Sequence, residues 1–162
     1  SIGDTVTILK NEDFNTVQYS VNENLTKQLE PKKGEWDIVF TPYSTILFTD
    51  DGIPTPYFVR GVLLNPYNVA SSLDTITAFR NIDYSVASSN IFSSTQDAIG
   101  HDWKAVMVDE GSNSAEYKVR EGYSYIIKDT DAEIYKLRFT SFFSFQGVKG
   151  FPSFEYSLLM PE

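Results

Sequence analysis

Apolar and polar residues alternate with a period near two along much of this chain, most clearly in its last quarter. Tyr117-Lys118-Val119 is followed by Tyr123-Ser124-Tyr125-Ile126-Ile127-Lys128. The polar turn Asp129-Thr130-Asp131 comes next, then the run Ile134 to Phe142. After Gly147-Val148-Lys149-Gly150 a further run, Phe151 to Leu159, closes the chain. Runs rich in β-branched and aromatic residues, punctuated by turn residues, predict a meander of antiparallel strands.

The same pattern continues upstream. Residues 4–9 and 16–21 alternate, and predict two strands joined by a polar turn over Asn11 to Asn15. Pro31-Lys32-Lys33-Gly34 predicts another turn. Glu35 to Tyr43 predicts a strand headed by Trp36, with Pro42 placing it at an edge or a bend. Ser44 to Thr49 continues extended as far as the strong turn signal Asp50-Asp51-Gly52. Between Ile53 and Pro66, three prolines flank the central run Tyr57 to Leu64, which pairs in a sheet on this reading while its flanks are irregular loop.

From Tyr67 to Gly100 the composition shifts to Ser, Thr, Asn and Ala. Ser72-Leu73-Asp74 predicts the start of a short helix through Phe79, and Ser94 to Asp97 a brief capped turn before Ile99. Trp103 to Val108 predicts a short strand, and Asp109 to Ala115 a polar loop. Strands outnumber helices throughout. The expected fold is mostly β, an antiparallel sandwich or curved sheets in a single domain over residues 1–162, with one or two short helices.

Composition sharpens this. Aromatic residues make up 15% of the 162, with 12 Phe and 10 Tyr, which favours sheet because flat rings pack well on pleated surfaces. Thirteen Lys and Arg against 22 Asp and Glu leave a net charge of −9, a surface that repels phosphate backbones and argues against nucleic acid as a partner. No apolar run approaches the ~20 residues needed to cross a bilayer, so a soluble chain is expected. With no cysteine, disulfides, thiolate metal sites and cysteine nucleophiles are excluded. Ser1 in place of an initiator Met suggests a processed or trimmed chain, which leaves room upstream for a signal peptide and any lipid-bearing cysteine.

Residues able to carry chemistry are few. His101 is the single histidine, between Gly100 and Asp102, and no Gly-x-Ser-x-Gly elbow accompanies it; catalysis is not expected. Zinc would need further His or Cys ligands. Asp129-x-Asp131-x-Glu133 lacks the glycine and distal Glu of a calcium loop, and reads as a hairpin turn. Met107, flanked by Val106 and Val108, suits either a core or an axial thioether contact to haem iron. Phe139, Phe142, Phe143 and Phe145 suit the core, or a surface for a flat apolar ligand.

Three segments resemble the HmuY-like haem-binding lipoproteins of Bacteroidetes. They are Glu35 to Thr41, Ile99 to Lys104, and the terminal run with Tyr135 to Phe139 and Lys149 to Tyr156. The resemblance implies a nearly all-β, hand-like molecule that grips haem between extended loops. It also implies a protein at the bacterial cell surface or outside the cell, held to the outer membrane only by a lipid anchor outside this chain. Such a haemophore passes haem to a TonB-dependent outer-membrane receptor. The founding members use two histidines around the Trp-bearing segment, whereas Lys104 to Asp109 and Thr75 to Gln96 contain none. Met107 falls close to the second ligand position, so Met107 and His101 are the expected haem and iron contacts, with Tyr67 and Tyr84 as phenolic alternatives. A second expectation is an accessory lipoprotein of the same fold that has lost haem and binds a glycan or an outer-membrane protein.

Overall fold

The computed structural model describes residues 5–109 and 114–161. Its ten strands are β1 (Gln18–Ser20), β2 (Leu25–Lys27), β3 (Ile38–Phe48), β4 (Pro54–Leu64), β5 (Ala70–Asp74), β6 (Lys104–Asp109), β7 (Ser114–Val119), β8 (Ser124–Lys128), β9 (Ile134–Phe143) and β10 (Lys149–Leu159). A 3-10 turn, Phe79–Asn81, and one short helix, α1 (Tyr84–Ser88), lie between β5 and β6. The fold is mostly β with antiparallel pairing, as the alternation predicts.

The meander forms the centre. β10, β9, β8 and β5 make a four-stranded antiparallel sheet in that order. Period-two alternation gives this sheet two different faces. Tyr125, Ile127, Leu137 and Phe139 lie on one face, where they join Val62, Leu64, Val69, Ile99 and Trp103 in the larger core cluster. Ile126, Ile134 and Leu159 lie on the other, packed against Ile82 and Ala87. A ribbon therefore covers the first face, and the α1 segment covers the second. Lys136 fastens that segment, because its Nζ donates to the carbonyls of Phe79 at 3.0 Å and Ile82 at 2.8 Å.

The covering ribbon is β3–β4, paired in unbroken register from Ile38 opposite Leu64 to Phe48 opposite Pro54. Its base enters the core: Phe40 meets Phe139 edge-on at 6.3 Å and stacks on Phe154 at 5.9 Å. Its far end is exposed. Pro42 sits on the outer strand, where its missing N–H breaks no ladder with a third strand. At the tip the Gly52 N–H donates to the Thr49 carbonyl at 2.8 Å, and Gly52 takes φ +77, which a side chain would disfavour.

Several expectations fail, among them the irregular loop read ahead of Tyr57, where Pro54 to Pro56 belong to β4 and pair with Ile46 to Phe48. Residues 5–9 form no strand and are exposed, and β1 pairs instead with β2, across a turn in which Asn24 adopts φ 54. The helix expected over 72–79 is also absent. Ser72 to Asp74 belong to β5, whose pairing with β8 overrides the local signal. Asp74 does cap, but it caps a turn: its Oδ1 accepts from the Ile76 and Thr77 N–H groups, each at 2.8 Å. Burial raises the Asp74 carboxyl, yet these N–H groups outweigh it and hold the carboxyl below its ordinary range. Helix α1 starts later, where Asp83 accepts from the Val86 N–H. Of the polar loop expected over 109–115, residues 110–113 lie outside the described residues; β6 and β7 supply the flanks. The Asp129 turn behaves as read, with Oδ1 accepting from Asp131 N at 2.9 Å and Glu133 N at 2.8 Å.

Candidate functional site

A cleft of about 250 Å³ opens between the outer part of β3, the loop 97–102 and the β5–β8 edge. Tyr43, Thr45, Ile46 and Leu47 form one wall, Asp97 to Asp102 a second, and Leu73 with Tyr125 a third. The position of the histidine loop follows from backbone pairing. Val62 N donates to Gly100 O at 2.9 Å, and Gly100 N donates to Val62 O at 3.0 Å, so the loop is stitched to β4. Such close approach needs a missing side chain at Gly61 and a left-handed residue at Gly100, φ +65.

His101 is thereby presented to the cleft. Its Nδ1 lies 3.3 Å from the Tyr43 hydroxyl, and its Nε2 lies 3.4 Å from Asp102 Oδ1. The Tyr43 and His101 rings meet edge-on, with centroids 6.4 Å apart. Burial first, and then the carboxylates of Asp97 and Asp102, push the Tyr43 hydroxyl above its ordinary pKa. Tyr125 is pushed up further still, by burial and then by Asp102 and Tyr123, against the opposing Arg120. Both phenols are therefore protonated at neutral pH, and the cleft carries a negative field. Lys104, three residues on, moves the other way: burial lowers it, partly offset by Asp102. Its ammonium lies over the Trp103 ring at 4.5 Å and donates to the Arg60 carbonyl at 2.9 Å.

Of the two residues expected as iron contacts, only His101 lines this cleft. Met107 sits on β6 opposite Glu116, with 46% of its surface exposed, as part of a hairpin that begins directly after the His101 to Trp103 segment. Three strand positions separate it from the start of that hairpin, roughly 10 Å at ~3.3 Å per residue. Of the phenolic alternatives, Tyr84 lies beyond the opposite face of the sheet with α1, and Tyr67 lies under the Lys33 ammonium at 4.6 Å. The tyrosine beside His101 in the cleft is Tyr43, which sequence reasoning missed. The one local hint was the pair of glycines, Gly61 and Gly100, marking a close backbone approach.

The cleft is small and open. Its volume is below the roughly 300–1,000 Å³ of pockets that enclose a drug-sized ligand, so it would admit an axial contact rather than a whole macrocycle. Around its mouth Ile46, Leu47 and Leu73 remain exposed, and offer apolar area to a flat ring lying across it. Among the described residues no three His, Asp or Glu side chains gather as a bare metal site, and no helix is long and apolar enough to cross a membrane.

No curated protein matches this chain. Among solved structures it is similar to one named as an HmuY-like heme-binding protein from Bacteroides vulgatus, at 19% identity over 86% of this chain and 82% of that one, with a TM-score of 0.34. It is also similar to a lipoprotein from Bacteroides fragilis, at 15% identity over 86% and 80% of the two chains, with a TM-score of 0.33. The model of the HmuY protein family matches residues 7–156, nearly the whole sequence, and the chain belongs to that family.

Proposed function

We propose that this protein is a non-enzymatic haem-binding protein, a haemophore that holds its cargo across the Tyr43–His101 cleft. On this reading His101 within the cleft, and Met107 on the hairpin that follows it, are the residues that meet the iron-bearing ring. The observation that carries the reading is the cleft itself. In a chain of the HmuY family, the lone imidazole stands at the base of a slot with an exposed aliphatic rim. Haem supplies a flat apolar surface and a metal with open axial positions. The protein supplies an axial donor, apolar cover and separation from water. The two hairpins, β3–β4 and β6–β7, expose further apolar side chains, Phe48, Tyr57, Phe58, Val106 and Val108. At the cell surface or outside the cell, the holder would then give up its cargo to a TonB-dependent outer-membrane receptor.

Titration of the purified protein with haemin, followed by absorbance, tests this. The expected result is a saturable shift of the Soret band at one equivalent, weakened in His101→Ala and in Met107→Ala. A spectrum that stays that of haemin alone sinks the reading. The protein would then be an accessory member of the family that serves a glycan or an outer-membrane protein.

A further inference from the structure

We propose that the tip of the β9–β10 hairpin, Phe143 to Phe151, inserts into the interface of a phospholipid bilayer with zwitterionic headgroups. The chain would then seat itself on a membrane surface, whether or not haem is bound. β8 pairs with β9 only over Ile134 to Leu137, so the rest of β9 and its partner β10 run on as a two-stranded ribbon. Exposure rises along it. Phe139 is buried, Phe142 and Phe143 are half-buried, and Phe145 at the turn is fully exposed. Val148 and Phe151, just past the turn, are 52% and 55% exposed. Phe142 roots the ribbon, edge-on to Trp103 at 5.8 Å and to Tyr117 at 5.2 Å.

Charge and backbone together point to lipid. From Phe139 to Phe154 there is no Asp or Glu and one cation, Lys149, although the chain carries 22 acidic residues and a net charge of −9. Six of its 12 Phe lie in the same stretch. Arg138 and Glu155, at the root, neutralise each other as an ion pair. A chain this acidic is repelled by strongly anionic surfaces, which leaves a zwitterionic one. There Lys149 meets headgroup phosphate and the rings meet the acyl boundary. Peptide groups entering an apolar layer must also be satisfied from within. At this tip Ser144 N donates to Val148 O at 2.8 Å, and Gly147 N to Ser144 O at 2.9 Å. Ser144 Oγ accepts from Gln146 N at 3.2 Å and from Val148 N at 3.1 Å. The turn thus closes on itself and leaves Phe145 outermost.

The test is co-sedimentation with vesicles of phosphatidylcholine, and of phosphatidylcholine mixed with phosphatidylglycerol. The intact chain should partition onto the neutral vesicles, and less onto the anionic ones. Phe145→Ser should lose at least about tenfold in partition, ~1.4 kcal/mol. Lys149→Glu should weaken it too. Ile91→Ser removes a side chain that is also exposed, at 92%, elsewhere on the surface, and should change nothing. Phe145→Trp should add to the intact chain's emission a component that shifts blue with vesicles and is quenched by brominated lipid. Absence of partition onto phosphatidylcholine overturns the proposal and leaves the tip to a protein partner. Stronger partition onto the anionic vesicles, equal losses in Phe145→Ser and Ile91→Ser, or an added Trp emission that vesicles do not move overturns it as well. Each of these outcomes leaves the haem-binding reading standing.

Discussion

Gly61 and Gly100 lie in such close contact that a Cβ at Gly61 would stand 2.4 Å from the Gly100 carbonyl oxygen and 2.7 Å from its carbon. The obstacle is backbone, which cannot swing aside as a side chain can. Gly61→Ala should force the 97–102 loop off β4, and with it the paired Val62–Gly100 hydrogen bonds that hold His101 at the cleft. Overpacking of this kind costs about 1–3 kcal/mol. Urea unfolding of the two proteins should show that loss. A Gly61→Ala protein as stable as its parent would mean that the loop does not depend on this approach.

Trp103 should be the costliest side chain to remove near the cleft. It is 2% exposed and stacks on Phe139 with centroids 4.1 Å apart, at the junction of the histidine loop and the central sheet. Trp103→Ala deletes the stack and leaves a cavity, and large aromatic truncations cost about 3–5 kcal/mol. Trp103→Phe keeps a ring on Phe139 and should lose markedly less. Equal losses in the two variants would show that a ring retained on Phe139 contributes little.

The central sheet was legible because its runs carry their own period: Tyr125 and Ile127 fall on one face, Ile126 on the other, and turn residues mark each reversal. The middle of the β3–β4 ribbon was legible, with Asp50-Asp51-Gly52 at its tip, whereas Pro54 to Pro56, read as loop because of the prolines, extend β4. Ser72 to Phe79 was not. A capping residue such as Asp74 reads alike before a helix or a turn, and only the β8 edge decides between them. Residues 5–9 show the converse, since alternation alone does not decide that a strand forms. Of the site, His101 was visible as the lone imidazole. Tyr43 was not, because its place beside His101 depends on the ribbon's register and on the stitching of Gly100 to β4, neither of which leaves a local pattern.

Asn65 organises the end of the ribbon. It is 1% exposed, and its amide nitrogen donates to the carbonyls of Lys33 and Trp36, both at 2.6 Å. Its oxygen accepts from Tyr67 N and Asn15 Nδ2, both at 3.0 Å. Asn65→Asp preserves size but replaces two donors by an acceptor facing two carbonyls. Each buried group left without a partner costs about 1–3 kcal/mol. Thermal unfolding of Asn65→Asp at neutral pH should show one of the larger losses available to a single isosteric change. Stability within experimental error of the parent would show that the turn at Lys33 to Trp36 holds without it.

Asp37 sets an acid-side signature. Burial, then Asp129, and in smaller measure Asp131, raise its carboxyl above the ordinary 3.8, against the lowering effect of the Thr130 N–H that it accepts. The native state therefore holds this proton more tightly than the unfolded chain does. The stabilisation it gives is fully present below about pH 3.8, the unfolded value, and is lost as pH rises through the higher folded value. At neutral pH the ionised carboxylate is a burden on the fold. Asp37→Asn retains an oxygen for the Thr130 N–H and removes the charge, so it should melt at a higher temperature than the parent at pH 7. That advantage should shrink as the pH falls through the folded value and level off below 3.8, where the parent's carboxyl becomes protonated in both states. Melting curves of both proteins from pH 3 to 8 measure the gap directly. A constant gap, or a parent that is the more stable at pH 7, would show that the Thr130 contact outweighs burial and the two neighbouring carboxylates.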